Sequence, residues 1–249
     1  MRMLLAALIA VLTAQVTFAA DTPVYELRIY TCEPGKLEAL DSRFRDHTMR
    51  IFEKHGMKNV GYWHPIEGDM AGNTLVYVLE HASRDAAKAS WDAFRNDPEW
   101  KKVAAESREA HGKILAKSPE SVYFATTDYS PVVAAPHADK LAELRIYTTH
   151  EGKLDALHAR FRDHTDAIFK THGMQALAYW KPLDAPKSEN VMYYILEHAD
   201  RDASKASWKA FGSDPVWKAA FAESTKDGRL LSERPVAIFM KPTDYSPKQ

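Results

Sequence analysis

Charged and aromatic side chains alternate with apolar ones along two segments of identical pattern, Glu-Leu-Arg-Ile-Tyr, at 26–30 and 143–147. Such alternation predicts β-strands, whose neighbouring residues face opposite sides. If Leu and Ile face helices, the remaining side chains point between two stacked sheets; they are Glu26, Arg28 and Tyr30, with Glu143, Arg145 and Tyr147. Charged groups placed there must be paired or hydrated. The pattern therefore predicts either a polar pocket or a structural ion pair.

Two further glutamates complete the expected ion pairs. We predict that each arginine pairs with a nearby carboxylate, Arg28 with Glu26 or Glu80 and Arg145 with Glu143 or Glu197. Glu80 and Glu197 are each followed by a histidine, which could suggest a metal site. Adjacent strand residues diverge, however, so neither Glu-His pair is expected to chelate one ion.

Two histidines and two tryptophans are the remaining candidates for a pocket. His47 and His164 follow a phenylalanine by three residues in predicted helices, which places them on or beside the apolar face. That position favours a core histidine over a general base, although histidine titrates near neutral pH. Trp63 and Trp180 each follow a tyrosine on a predicted strand, so one residue of each pair faces the barrel. They are either pocket walls or core.

Composition and missing motifs narrow the chemistry. The chain of 249 residues carries 33 Lys and Arg against 34 Asp and Glu, without a long block of one sign. This balance disfavours nucleic acid and anionic membranes as partners. The one cysteine, Cys32, allows no internal disulfide. The sequence lacks the signatures of zinc hydrolases, serine nucleophiles and phosphate loops. It therefore indicates no metal site and leaves any cofactor unknown.

The elements that position these residues occur twice, because the pattern at 26–30 returns 117 residues later at 143–147. Each copy predicts a strand, a helix that ends at His-Gly, two strands, a helix pair with a Ser or Asp N-cap, and a last strand. This order is the split βαβ pattern of a ferredoxin-like domain. We predict an α+β chain with two such domains, at 20–131 and 132–249.

The first residues resemble an export signal. One positive charge precedes an apolar run over 4–11, and Thr17-Phe18-Ala19 offers a small-x-small cleavage site. These features are typical of a secretory signal peptide, and the apolar run is too short to span a bilayer. We predict a signal peptide at 1–19, a periplasmic or secreted protein, and no transmembrane segment in the mature chain.

One set of short motifs covers the first copy and mostly recurs in the second: Glu26-Leu27-Arg28-Ile29-Tyr30, Pro34-Gly35, His47, Gly61-Tyr62-Trp63, Asn73, Ser83-Arg84-Asp85 and Asp97-Pro98-Glu99-Trp100. In these motifs the chain resembles the NIPSNAP family. The resemblance implies a dimeric α/β barrel, in which two four-stranded sheets pack face to face with helices outside. Family members are mostly known as interaction proteins of mitochondria and vesicles. The wider fold group resembles antibiotic-biosynthesis monooxygenases and haem-handling proteins.

These observations favour an exported binding module for a small molecule or a protein, built on an intramolecular pseudo-dimer that closes its barrel without a second chain. Further self-association stays open. The alternative is a cofactor-poor oxidoreductase, a monooxygenase-like enzyme or a haem-handling protein that uses the space between the sheets. Whether any reaction is catalysed stays open at this point, because no catalytic constellation stands out from ordinary packing.

We predict that the exported protein begins near Ala20, because the small-x-small site ends at Ala19. N-terminal sequencing of the exported form measures this. An intact Met1 on a cytoplasmic protein would contradict it.

Overall fold

The computed structural model describes residues 22–249, so the predicted signal at 1–19 and its boundary lie outside the described part. Eight strands form one sheet. Their bounds are β1 Val24–Thr31, β2 Lys58–Pro65, β3 Thr74–His81, β4 Glu120–Thr126, β5 Leu141–Thr148, β6 Gln175–Pro182, β7 Val191–His198 and β8 Val236–Pro242. The predicted strands of both copies are therefore present.

The helices lie outside the sheet. Their bounds are α1 Leu37–Arg43, α2 Met49–Lys54, α3 Arg84–Asn96, α4 Pro98–His111, α5 Leu154–Arg160, α6 Asp166–Thr171, α7 Lys187–Asn190, α8 Arg201–Ser213 and α9 Pro215–Ser224. A π-helical turn joins α1 to α2 at Phe44–Thr48 and α5 to α6 at Phe161–Thr165. As predicted, Ser83 and Asp97 cap α3 and α4 by accepting bonds from backbone N–H groups. No helix within 22–249 is both long and apolar enough to cross a bilayer.

The eight strands close into an antiparallel barrel in the order β1-β3-β2-β8-β5-β7-β6-β4. The first half contributes β4-β1-β3-β2 and the second contributes β8-β5-β7-β6, so each half is a four-stranded unit. Two short seams join the units, β2 to β8 from Trp63 to Pro65 and β4 to β6 from Phe124 to Thr126. The barrel is thus closed within a single chain.

The two faces of β1 are assigned opposite to our prediction. Leu27 and Ile29 point into the barrel, where they join a core cluster drawn from both halves. Glu26, Arg28 and Tyr30 instead face the helices, as do Glu143, Arg145 and Tyr147. The strand periodicity is therefore correct, whereas the expectation that these residues lie between the sheets is wrong. The physical reason is that the donors for the carboxylates come from the helices and strand ends on the outer face.

The space between the sheets is an apolar core rather than a polar pocket. Trp63 and Trp180 lie inside it with no exposed surface, which confirms that one aromatic residue of each pair faces the barrel. Trp180 stacks on Phe124 with ring centroids 5.5 Å apart. Trp63 takes another position, over the Cα of Gly61. Side chains of this size fill an eight-stranded barrel.

The segment that ends each half packs on the other half. Residues 128–131 and 244–247 share the sequence Asp-Tyr-Ser-Pro. Ser130 Oγ accepts a hydrogen bond from the backbone N–H of Tyr179, and Ser246 Oγ accepts one from that of Tyr62, both at 3.0 Å. The linker that follows is also packed, since Val133 enters the barrel core. These contacts fasten the two halves at both seams.

We expect Gly61→Ala to destabilise the protein by about 1–3 kcal/mol, as overpacked cores do. The added Cβ would lie within 3 Å of three atoms of the Trp63 ring. Urea unfolding measures the loss. The matched control is Ala178→Gly at the corresponding site of the second half, which should cost no more than about 1 kcal/mol. Equal stability of Gly61→Ala and wild type would show that the Trp63 ring can move away from residue 61 without loss of packing.

Candidate functional site

A buried carboxylate on β1 collects four donors. Glu26 has no exposed surface. Its Oε1 accepts bonds from Arg28 Nη1 and Ser121 Oγ, both at 2.6 Å. Its Oε2 accepts bonds from Trp91 Nε1 at 2.7 Å and His81 Nε2 at 3.0 Å. We call this set, with Arg28, the Glu26 node.

The second half repeats the arrangement with one donor fewer. Glu143 accepts bonds from Arg145 Nη1 at 2.9 Å, His198 Nε2 at 2.8 Å and Trp208 Nε1 at 2.7 Å. Ala237 stands opposite Arg145 where Ser121 stands opposite Arg28 in the first half. The predicted ion pairs are therefore confirmed, with Arg28 on Glu26 and Arg145 on Glu143. Both pairs face the helices.

Electrostatics keep the Glu26 node ionised. Burial by itself would raise the pKa of the Glu26 carboxyl, but the bonds from His81, Ser121 and Trp91 and the charge of Arg28 lower the pKa to about 2. The pKa of the Glu143 carboxyl is also lowered, because the bonds from His198 and Trp208 and the charge of Arg145 outweigh the effect of burial. No described serine contributes in this half. An ionised carboxylate accepts only, so His81 Nε2 is a donor.

The arginine of each node is held between its carboxylate and an indole ring. The Arg28 guanidinium lies 4.4 Å from the Trp91 ring centroid, and that of Arg145 lies 4.6 Å from the Trp208 centroid. Arg28 Nη2 also donates to the Tyr30 hydroxyl at 3.4 Å. Since every carboxylate oxygen of Glu26 already has two donors, this node binds strands to helices and offers no acceptor to a ligand.

The two histidines lie on the surface, which corrects the prediction of core positions. His47 and His164 are exposed. In an α-helix, a residue three positions after Phe44 lies about 60° from it. Both histidines belong to the π-helical turns, whose wider i→i+5 spacing moves them further from the apolar face. His47 lines a shallow groove of about 250 Å³ with Asp46 and Glu106.

The remaining candidates lie on the inner face at one end of the barrel. Glu80 stands opposite Tyr25 and pairs with Lys58 at 3.0 Å. Glu197 is nearly fully buried and accepts bonds from His137 Nδ1 at 2.8 Å and the His137 backbone N–H at 3.0 Å. Neither glutamate meets an arginine. Within 22–249, no three His, Cys, Asp or Glu residues are grouped so that they could hold a metal ion.

A larger groove, which sequence reasoning did not find, lies on the helix side of the first half. Its volume is about 930 Å³, and it runs between α4 and the segment 112–119. Four cationic side chains line it, and none of its lining residues is acidic; the cations are Arg43, Arg108, Lys113 and Lys117. Lys113 and Lys117 pair with Glu33 and Glu120 outside the lining. We call this the first groove.

Arg43 is the most unusual residue of the first groove. Its guanidinium lies 5.6 Å from the Trp100 ring centroid, and its Nε is buried without a hydrogen-bond partner among the described residues. Burial lowers the pKa of Arg43, while neighbouring tyrosines and Cys32 act in the opposite direction. In contrast to Arg28, Arg43 forms no ion pair with a described carboxylate.

The second half contains the corresponding groove, with a volume of about 530 Å³, which we call the second groove. Arg160 takes the place of Arg43, is only 5% exposed, and has an unpartnered Nε. Its guanidinium lies 5.1 Å from the Trp217 ring centroid. Arg160 likewise forms no ion pair with a described carboxylate, so this feature occurs in both halves.

Backbone pairing next to β1 and β5 fixes the wall of each groove. Ala116 N–H donates to Thr31 O at 2.9 Å, and Glu33 N–H donates to Ile114 O at 2.8 Å. Ser232 and Leu230 pair in the same way beside β5. Gly112 turns the chain out of α4 with φ +68°, a conformation that favours glycine. One wall of each groove is therefore a backbone segment that is hydrogen-bonded to the end of β1 or β5 and to the residues that follow it.

We expect Arg28→Met to destabilise the protein by about 3–5 kcal/mol near neutral pH, because removing one member of a buried pair leaves the other charge uncompensated. Adding Glu26→Gln to the same protein should recover most of the loss. Urea unfolding measures both changes. The matched comparison is Arg145→Met, which should cost more, because Glu143 lacks the serine that Glu26 retains. A harmless Arg28→Met would show that the ion pair does not support the fold.

The contribution of Glu26 should also depend on pH. Its pKa in the folded state is about 2 against an ordinary value of 4.5. A lowered pKa gives stability that is fully present above pH 4.5 and is lost as pH falls towards 2. The wild-type advantage in unfolding free energy over Glu26→Gln should therefore shrink across this range. A constant advantage would argue against an ionised carboxylate.

Comparisons with solved structures agree with this architecture. An anthrone oxidase-like protein matches with a TM-score of 0.60 at 12% identity, over 90% of this chain and 92% of that chain. A proposed monooxygenase from Lactobacillus acidophilus matches with a TM-score of 0.54 at 15% identity, over 89% and 94%. At these identities the likeness shows the fold alone. No curated protein sequence matches the chain significantly.

The sequence itself matches one family model twice. The NIPSNAP model covers residues 25–131 and then residues 142–247, which together make up most of the chain. Each matched segment contains one copy of the repeat, one node and one groove. The chain therefore belongs to the NIPSNAP family and carries two copies of its domain in tandem.

Proposed function

We propose that the protein is a binding module for small organic anions, with one site in the groove of each half. The observation that carries this proposal is the arginine without an ion pair at each groove, Arg43 and Arg160. It replaces the earlier expectation of a pocket between the sheets, since that space is filled by the apolar core.

An anion would satisfy what the protein leaves unsatisfied. A charge removed from water is costly unless it is paired and hydrogen-bonded. The planar guanidinium presents a fork of donors that fits carboxylate and phosphate groups with two bonds. Trp100 and Trp217 hold the two guanidinium groups by their ring faces. Arg43 and Arg160 are therefore preorganised to bind a carboxylate or phosphate.

The size and charge of the grooves also suit small molecules. Ligand sites typically have volumes of roughly 300–1,000 Å³ and combine apolar walls with a few polar groups. The two grooves, at about 930 and 530 Å³, lie within this range. Ile114 and Leu115 provide apolar wall in the first groove, and Leu230 and Leu231 provide it in the second. The surplus of cations in each groove favours a negatively charged ligand.

The proposal also covers the domain arrangement of this module and its location in the cell. We infer two ferredoxin-like units joined as an intramolecular pseudo-dimer, exported by the segment 1–19 to the periplasm or the outside. The strand order within each half supports the first inference, and the signal-like composition supports the second. The oxidoreductase and haem-handling alternatives draw on the fold likeness alone, so binding is the function we put forward.

Isothermal titration of phosphate, pyrophosphate, citrate and 4-phenylbutyrate at fixed ionic strength tests the proposal. At least one of these anions should bind wild-type protein, and the Arg43→Met, Arg160→Met double variant should lose 10-fold or more in affinity. Methionine keeps the apolar stem and removes the fork of donors. Arg43→Lys and Arg160→Lys serve where methionine impairs folding, since lysine keeps the charge but not the fork.

The matched control is Arg95→Met, which removes an exposed arginine on α3 outside both grooves. It should leave affinity unchanged. Binding that fell equally in the control would indicate a general effect of charge. Failure of all four anions to bind wild-type protein would overturn the proposal.

A further inference from the structure

We infer that the two grooves select different anions, the first a multiply charged anion and the second a singly charged anion with an apolar body. This inference rests on the proposed function. It is carried by the differences between corresponding residues in two sites that share an arginine, a tryptophan ring beside that arginine and the backbone pairing of one wall.

The charge of the two grooves differs. The first groove has Arg43, Arg108, Lys113 and Lys117 and no acidic residue. In the second groove, Thr225 replaces Arg108 and Glu233 replaces Lys117, while Arg160, Arg229 and Arg234 supply the cations. Among the lining residues alone, the surplus of positive charge falls from four to two, and a carboxylate enters the lining of the second groove. Because Lys113 and Lys117 pair with Glu33 and Glu120, the cations without an ion pair to a described residue in the first groove are Arg43 and Arg108. Repulsion from Glu233 penalises a multiply charged ligand there.

The apolar surface changes in the opposite direction. Ala104 of the first groove is replaced by Phe221, which is 47% exposed. The Phe221 ring lies 5.6 Å from the Trp217 ring centroid, and the Arg160 guanidinium lies 5.6 Å from the Phe221 centroid. The second groove is accordingly smaller, and its arginine lies beside two aromatic rings. An apolar ligand body would cover the exposed part of Phe221.

The arginines also differ in the donors they leave free. Arg160 Nη1 donates to Ser224 Oγ at 3.2 Å. The corresponding pair in the first half is open, since Ser107 Oγ is buried without a partner and Arg43 makes no bond to it. Arg43 therefore makes no side-chain hydrogen bond to another described residue, whereas Arg160 has already committed one of its terminal nitrogens to Ser224.

The missing cation is a substitution at a corresponding position, since Thr225 lines the second groove where Arg108 lines the first, and the two helices also end differently there. Helix α4 continues to His111 and brings Arg108 to the groove. Helix α9 ends at Ser224, where the hydroxyls of Ser224 and Thr225 both donate to Phe221 O. Side chains that bond to the preceding turn in this way commonly accompany a helix end. The second half therefore has a hydroxyl that is bonded to its own helix where the first half has a guanidinium.

Titration of two probes against single-groove proteins tests the inference. Pyrophosphate represents the multiply charged anion, and 4-phenylbutyrate represents the singly charged anion with an apolar body. Arg160→Met leaves the first groove intact, and Arg43→Met leaves the second. We expect pyrophosphate to bind Arg160→Met at least 10-fold more tightly than Arg43→Met, and 4-phenylbutyrate to show the reverse order.

Exchange of the differing residues is the decisive variant. In the Arg43→Met background, Phe221→Ala with Glu233→Lys should improve pyrophosphate binding and weaken 4-phenylbutyrate binding. In the Arg160→Met background, Ala104→Phe with Lys117→Glu should do the opposite. Equal preference of the two grooves in every protein would overturn the inference and leave the proposed function standing. Failure of both probes to bind wild-type protein would overturn the inference, while binding of phosphate or citrate would still support the proposed function.

Discussion

The apolar interior of the barrel is the constraint on which the rest of the structure depends. Even the indole N–H groups of Trp63 and Trp180 find no acceptor there among the described residues, a cost that the packing must offset. An ionised side chain in the middle of the barrel would cost far more. The charged residues of β1 and β5 therefore face the helices. There Glu26 and Glu143 gather donors from a tryptophan, a histidine and an arginine.

Duplication gives an internal control for what each feature does. The nodes are almost unchanged between halves, down to the placement of arginine over an indole ring. This constancy fits a structural role, because both halves face the same need to bind helices to strands. The grooves keep Arg43 and Arg160 but differ at the surrounding positions. Sites that share a frame and differ in lining are suited to distinct ligands.

Much of the fold could be predicted from local sequence. The repeat of 117 residues, the period of two in β1, and the caps at Ser83 and Asp97 all predicted elements that are present. The site could not be predicted as well. His47 followed an apolar residue at helical spacing, but a π-helical turn moved it to the surface. Such turns depend on packing, and the sequence contains no clear signal for them.

The sequence by itself determined the strands, the helix caps at Ser83 and Asp97 and the duplication, because local pattern and the comparison of the two copies reveal them. It left two candidate carboxylates for each arginine, from which the structure selected Glu26 and Glu143. Only the tertiary structure decided which face of β1 lies inside. Periodicity separates two faces but cannot say which one meets the partner sheet. The grooves also belong to the tertiary structure, since Arg43 and Lys117 are distant in the chain and meet only after α4 and β1 have packed. That Arg43 lacks a carboxylate is a fact of three-dimensional packing.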